Sequence, residues 1–404
     1  MALDFHKTYA QIEAAVRDAH ATQDDRRARL RETLARLEQA GLGAVINAKF
    51  EASKGRYGYL PAGVAEELSA RYPAPAAPES FAVAATDGSH IAVDRHLAFR
   101  AYLINIGGCL LTYGALPGAY LFSQPTVYTR DEDLYYTDPD SSADQTPVEG
   151  AVMGFKRAVE ELRALADLVR RAPDGMPVLA LLDGSLILWG LAGQQYKPFL
   201  REVVLERGLV PALDALREET TRRPLAVASY VSLPGSTEVV NALRLALCPY
   251  DVSDCRAHCG ALRPSTRPCD TVHGFQDRRL FEALLAPGER SALFFTRSSV
   301  VRDHYGPHQV FFYYLNTGVE VGRVETPEWV ARDKALLDLS HALALDQCRR
   351  GLGYPPAIAE SHEQAVVTAA DREQFRLLVE EALWGQRLPV YTSEKDRSKR
   401  MRWL

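Results

Sequence analysis

Two aspartates recur in the same setting. The chain reads "AATDGSHIAV" at residues 84–93 and "LALLDGSLIL" at 179–188, so that apolar runs end in Asp-Gly-Ser at Asp87 and Asp183. Asp-Gly between apolar runs is also ordinary turn chemistry, because glycine accepts positive φ and aspartate bonds its own backbone. The second copy, however, leads into the helical stretch "LILWGLAGQQYKPFLREVVLERGL", which puts Asp183 at a strand-to-helix junction. Carboxylates at the carboxyl ends of neighbouring strands in an α/β sheet are well placed for site chemistry. The glycine after each aspartate is expected to let the backbone turn away beneath the carboxylate.

Other reactive groups gather in three places. In "GYPPAIAESHEQAVVTAADREQF" (353–375), His362-Glu363 opens like a zinc-protease H-E-x-x-H, but Val366 stands where the second histidine belongs. Tyr354 lies eight residues before His362, beside two prolines that fix the helix entry. Four of the six cysteines, Cys248, Cys255, Cys259 and Cys269, share a segment spaced C-x6-C-x3-C-x9-C. Their thiolates could hold zinc or an iron–sulfur cluster, with His258 and His273 near enough to substitute, although the spacing matches no standard zinc-finger pattern. The tail "SEKDRSKRMRWL" is a basic stripe, which by composition alone reads as a solvated terminus.

The elements that must position these groups can be read from periodicity. Residues 5–42 carry heptad-like apolar spacing and predict one or two exposed helices, and "RYPAPAAPES" (71–80) is the best boundary in the chain. "FAVAATD", "AFRAYLINIGG" and "CLLTYG" read as three strands. "TPVEGAVMGFKRAVEELRALADLVRR" reads as a helix, with Thr146 as its cap, Pro147 in its first turn and Val152, Phe155, Val159, Leu162 and Ala166 on one face. "PVLALLD" is a fully apolar, hence central, strand. A strand "LAVASYVSLP", the helix "STEVVNALRLAL", the strands "SALFFT" and "HQVFFYYLN" and helices over 328–350 and 357–384 follow.

Three strands, a helix, a fourth strand and alternating elements make a mixed α/β sheet in the order of the ribonuclease H-like fold. There, acids on the first strand, the helix and the fourth strand meet: here Asp87, a glutamate within 149–161, and Asp183. A strand of six residues covers roughly 20 Å, and an antiparallel helix needs about 13 residues for the same distance. Counting back from Arg171 favours Glu160 or Glu161 and leaves Glu149 roughly 15 Å away. The two flank the buried face on opposite sides, and Glu160 is taken as the ligand.

The whole chain bounds the rest. Its 404 residues are 47% hydrophobic and 25% charged, an ordinary globular composition that allows one large domain or two modest ones. A net charge of −5 does not advertise a polyanion partner, though a local basic stripe suffices to grip phosphates. No apolar run approaches the ~18 residues of a membrane span, and a cytoplasmic protein is expected. Three regions are drawn: an N-terminal helical region (1–75) for dimer or partner docking, a ribonuclease H-like domain (76–390) with a Cys-rich insertion (248–273), and a basic tail (391–404).

The paired "DGS" strands, "SYVSLPGSTEVVNALR", "GYPPAIAESHEQAV" and "SEKDRSKRMR" together resemble the NurA family of DNA-repair nucleases, from about residue 80 to the end. The resemblance implies a metal-dependent deoxyribonuclease that processes DNA ends in double-strand-break repair. It implies exonuclease and single-strand endonuclease activity, and a homodimer bound to a HerA-type hexameric ATPase. It places the family's acids at Asp87 and Asp183, its tyrosine at Tyr354, its histidine at His362, and its helix glutamate at Glu160–Glu161. Phosphodiester hydrolysis suits two Mn²⁺ or Mg²⁺ ions among hard oxygen ligands. An imidazole shifts the preference toward Mn²⁺, which makes His362 a ligand or proton shuttle. Lys395, Lys399 and Arg400 become phosphate contacts. No G-x-x-x-x-G-K-[ST] occurs in the chain, so ATP hydrolysis falls to a partner. Two rival readings remain: a catalytically silent DNA-end-binding adaptor, and a thiol-ligated zinc or Fe–S redox protein.

Overall fold

The computed structural model describes residues 3–21, 23–39, 41–92, 100–193, 195–263 and 266–387. Lys395, Lys399 and Arg400 lie outside the described residues. The chain divides into two compact units, neither continuous in sequence. The first comprises Met1–Ala74, Ser232–Arg297 and Phe311–Val324; the second comprises Pro75–Val231, Ser298–Val310 and Glu325–Leu404. The cysteine segment therefore belongs with the N-terminal helices.

The second unit contains five neighbouring strands of a mixed sheet. They are β1 (Phe81–Ile91), β2 (Tyr102–Tyr113), β3 (Gly118–Tyr128), β4 (Val178–Asp183) and β5 (Leu225–Val231), in the spatial order β5-β4-β1-β2-β3. β1 is antiparallel to β2 and parallel to β4, and β4 is parallel to β5. That is the ribonuclease H-like order expected from the sequence. β4 and β5 are buried on both faces, as strands between helical layers must be.

Three strand assignments differ from expectation. Residues 102–108 and 109–113, read from the sequence as parts of two runs divided at Gly107-Gly108, form one strand, β2. A Cβ on Gly107 would lie 2.3 Å from Ala365 N and one on Gly108 would lie 2.0 Å from the Phe122 ring, so both glycines serve close packing inside the strand. The true third strand, β3, carries Pro125 and faces solvent along most of its length, which is tolerable only at a sheet edge. The strand Val321–Pro327 escaped sequence reading because it contains Arg323 and Glu325, both buried.

Helix α1 (Ala151–Val169) packs on β1 and β2 and buries Val152, Phe155, Val159, Leu162 and Ala166. It starts at Gly150, not at Thr146, because Thr146 and Pro147 are held in the strand Ser141–Pro147, paired with Tyr135–Asp138. The C-terminal stretch folds as α2 (Lys334–Arg350), α3 (Pro356–Ala365) and α4 (Ala369–Gly385). Pro355 and Pro356 set the entry of α3, and Thr368 caps α4 in a reciprocal box with Asp371.

The first unit packs Leu37, Ile46 and Leu68 from the N-terminal stretch against Leu243, Phe281, Phe294, Phe312 and Tyr314. Buried Asp277 accepts hydrogen bonds from Val239 N (3.0 Å), Val240 N (2.8 Å) and Tyr314 Oη (2.8 Å), satisfying the N-terminus of the helix Glu238–Leu247. The first helix, Phe5–Ala21, leaves Phe5, Tyr9, Ile12 and Val16 exposed.

Candidate functional site

Asp87 and Asp183 meet because of register. In the parallel pair β1/β4 the last registered residues are Thr86 and Leu182, and Asp87 and Asp183 follow immediately. In-register residues on parallel strands point to one face, with strands roughly 4.8 Å apart. Asp87 also stands opposite Gly107 on β2, whose missing side chain opens toward α3. Both aspartates therefore face α3 and the turn before it, where the histidine and tyrosine lie.

Each aspartate has one neutral or titratable partner there. His362 Nδ1 lies 2.7 Å from Asp87 Oδ2, with the imidazole 60% exposed and the carboxylate 19% exposed. Tyr354 Oη donates to Asp183 Oδ1 at 2.7 Å, and the Tyr354 ring packs edge-on against Tyr230 with centroids 5.9 Å apart. α3 is pinned in place by Asn105 Nδ2, which donates to Gln364 O (3.2 Å) and Ala365 O (3.0 Å), and by Ser89 Oγ, which donates to Ala365 O. The serine of the first DGS is thus a fastener for the histidine-bearing helix. The serine of the second donates through Oγ to Glu325 Oε2 (2.8 Å), which also accepts from Leu186 N (2.9 Å) and fixes the loop after β4.

The helix glutamate arrives from the opposite face. Thr86 Oγ1 donates to Glu161 O at 2.8 Å, and a Cβ on Gly88 would lie 2.7 Å from Glu161 Oε1. Thr86 and Gly88 both point away from Asp87 along the strand, so Glu161 sits over the first DGS on the α1 side. Its side chain is 15% exposed, with Arg157 Nε 3.0 Å from Oε1 in an orientation that pairs charges without a hydrogen bond. Burial pushes the Glu161 carboxyl up to about 7; Arg157 opposes that rise, while the nearby charges of Asp87 and Asp183 add to it. Glu160 points elsewhere. It pairs with Arg163 at 3.0 Å and lines a separate cavity with Tyr128 and Ile104. The structure thus brings Glu161, not Glu160, to the aspartates, while Glu149 pairs with Arg100 at 2.6 Å.

The two glycines of the twin motif do different work. Gly184 has φ +77° with open space around its Cβ position, and it lets the chain turn after Asp183 as expected. Gly88 makes no turn, since β1 continues to Ile91; it provides room for Glu161 and Arg157. Arg157 and Asn105 were not singled out from the sequence. The i,i+4 spacing of Arg157 and Glu161 was the one visible signal.

The donor set fits divalent cations. Glu161, whose carboxyl is pushed up by burial and by the charges of Asp87 and Asp183 and which keeps a buried oxygen lacking a hydrogen bond, is a group that a hard cation would relieve. Among the described residues no three His, Cys, Asp or Glu side chains are arranged to hold a metal ion; the carboxylates are held by His362, Tyr354 and Arg157.

The cysteine quartet stands in the first unit. All four thiols are free, with Cys259 and Cys269 buried. Burial raises the Cys259 thiol, and the neighbouring Cys255 and Cys248 raise it further. His258 stacks on Tyr250 with centroids 3.8 Å apart.

A mixed sheet with acids at the ends of adjoining parallel strands, and a glutamate, a histidine and a tyrosine brought over them by flanking helices, defines an α/β protein with an acidic strand-end site. The NurA domain family model matches residues 81–367, and the chain belongs to that family. Among solved structures it is similar to the crystal structure of the NurA nuclease from Sulfolobus solfataricus, at 14% identity and a TM-score of 0.46, over 96% of this chain and 98% of that one. No curated protein matches.

Proposed function

We propose that the chain is a divalent-metal-dependent deoxyribonuclease that processes DNA ends. The observation that carries this reading is the convergence of Asp87 and Asp183 at one sheet end, with Glu161 across β1 and His362 alongside. Asp87, Glu161 and Asp183 would hold the cations, Mn²⁺ or Mg²⁺, which when bound supply an activated water and offset charge on the phosphodiester oxygens. Tyr354 fixes the carboxylate of Asp183 through its hydroxyl, leaving Oδ2 outside that bond. His362 orients Asp87 through Nδ1 and keeps Nε2 for a ligand or a proton. Arg157 balances Glu161 until a cation does so.

The wider reading rests on the sequence resemblance: a cytoplasmic homodimer working in double-strand-break repair with a HerA-type hexameric ATPase, which would supply the nucleotide hydrolysis this chain has no P-loop for. Among the described residues no helix is long and apolar enough to cross a membrane.

The test is digestion of end-labelled single- and double-stranded DNA with Mn²⁺, with Mg²⁺ and with EDTA, by the wild type and by Asp183→Ala. Metal-dependent degradation abolished by Asp183→Ala is expected. A wild type that binds DNA ends but degrades none would make the chain an adaptor and refute the proposal.

A further inference from the structure

The first unit holds a cavity of about 760 Å³, bounded by residues 55–59, Arg244 of the helix Glu238–Leu247, residues 254–256, Arg267 and His273. That volume is in the range of nucleotide-sized sites. Four arginines line it: Arg56, Arg244, Arg256 and Arg267, together with Tyr57 and Tyr59. Arg244 forms its base. It is 5% exposed, its guanidinium lies 4.4 Å over the Tyr59 ring, and it bonds Asn241 Oδ1 (3.3 Å) and Asp270 Oδ1 (3.2 Å). Its Nε finds no acceptor among the described residues. Arg56 and Arg256 are exposed at the rim.

Two nearby carboxylates, Asp254 and Asp270, offset only part of the charge of the four arginines. Asp254 is engaged as a helix cap, accepting from Ala257 N at 2.8 Å. Asp270 takes Arg244 and accepts from Arg267 N at 3.2 Å. Arg56, Arg256 and Arg267 form no side-chain ion pair among the described residues. His273, on the same wall, has its pKa lowered first by burial and then by Arg244, with Asp270 opposing, so its charged form is disfavoured beside the arginines. Gathering like charges costs free energy, and an anion bound among the guanidiniums left without an ion pair would offset it. Guanidiniums at base and rim match phosphate oxygens bidentately, and phenol rings between them suit a sugar or base.

We infer that this cavity is a second nucleic-acid site, binding a nucleotide unit of a single DNA strand through Arg56, Arg244 and Arg256 with Tyr59 as its apolar wall. The ligand class rests on the nuclease reading; the anionic character rests on the cavity alone. Rim arginines in the open and a buried one below favour a strand, whose phosphates are spaced along a chain, over an isolated phosphate.

The experiment measures binding of a 5′-fluorescein-labelled thymidine dodecamer to the full chain by anisotropy, in EDTA so that binding is read without hydrolysis. In Arg56→Ala/Arg256→Ala the dissociation constant should rise at least about tenfold. The slope of log affinity against log salt should shrink by about 1.4, or roughly 0.7 for each lost phosphate contact. Arg56→Lys/Arg256→Lys should restore most of the slope and less of the affinity. Unchanged affinity and slope in an alanine variant whose thermal unfolding matches the wild type would overturn the proposal. If that variant does not fold, single Arg256→Glu at the exposed rim must weaken the strand instead, and unaltered binding there has the same force. Displacement of the strand by thymidine monophosphate or inorganic phosphate at equal phosphate concentration would overturn the assignment to a strand. Loss of strand binding in a chain that degrades no DNA would keep this site and remove the nuclease reading; degradation with unaltered strand binding would do the reverse.

Discussion

Replacing Gly88 by alanine tests the site's construction most sharply. The new Cβ would lie 2.7 Å from Glu161 Oε1 and 2.8 Å from Arg157 Cγ. An ordinary carbon–oxygen contact needs about 3.3 Å, so the carboxylate must retreat by about 0.6 Å. Both clashing atoms belong to flexible side chains, and Gly88 does not adopt positive φ, so β1 itself tolerates alanine. Alanine also has less backbone entropy to lose on folding, which favours the strand by about 0.5–1 kcal/mol. Gly88→Ala should therefore leave stability unchanged or slightly raised while the turnover of end-labelled DNA falls about 10–100-fold, since a 1 Å misplacement of a reacting group can cost about 100-fold. Gly184→Ala is the matched control. It meets no atom within 4 Å but must hold φ +77°, which costs about 1–2 kcal/mol. Urea unfolding and turnover measured on both variants give opposite signatures for one substitution in one motif. A Gly88→Ala protein with full turnover, or with stability lost in proportion to activity, would refute the idea that this glycine exists to seat Glu161.

Further expectations follow from the same geometry. Glu161→Gln should reduce turnover at least about 100-fold while Glu160→Gln stays within about threefold of wild type, because only Glu161 stands by the aspartates; equal effects in the DNA-digestion assay would contradict the placement. Tyr354→Phe removes the 2.7 Å bond to Asp183. It should raise the Mn²⁺ concentration for half-maximal activity about 10–100-fold with the fold intact by circular dichroism. Asp277 carries a pH signature of its own: burial pushes its carboxyl up to about 6, against the lowering effect of the Val240 and Val239 N–H groups and Tyr314. Its ordinary value is 3.8, so between those two pH values the folded chain holds more protons than the unfolded one. Stability should then rise as pH falls from about 6 toward 3.8, and comparison of urea unfolding in wild type and Asp277→Asn across that range isolates this component.

Much of the sheet was legible because burial on both faces leaves a plain mark. The runs 81–86, 178–182 and 225–230 are apolar without alternation, and the inward face of α1 repeats at 3.6 residues, so their types and order followed directly. β3 left no such mark: at an edge, with Pro125 in it and solvent on both faces, it needs no hydrophobic pattern. Gly107 and Gly108 misled because a glycine pair signals a turn unless one knows that a helix and a phenylalanine press against it. The site was legible in height but not in side. Counting rises brought the helix acid to residues 160 and 161, and the choice between them depended on which flank of α1 meets β1. That flank is fixed by Thr86 and Gly88, residues with no reactive group to draw attention. Tyr354 and His362 were found by company, whereas the fasteners Asn105, Ser89 and Glu325 act through single backbone contacts that no spacing encodes.

The discontinuous first unit has a consequence for how the chain is made. Leu37, Ile46 and Leu68 share their core with residues that a ribosome adds much later, out to Tyr314 and Val321. The N-terminal helices must therefore wait, with those leucines and isoleucine unshielded, until synthesis has passed through the entire sheet of the second unit. Cutting the gene at the proline-rich stretch near residue 74 would not excise a detachable arm; it would strand half a core on each product, and both halves would be expected to aggregate.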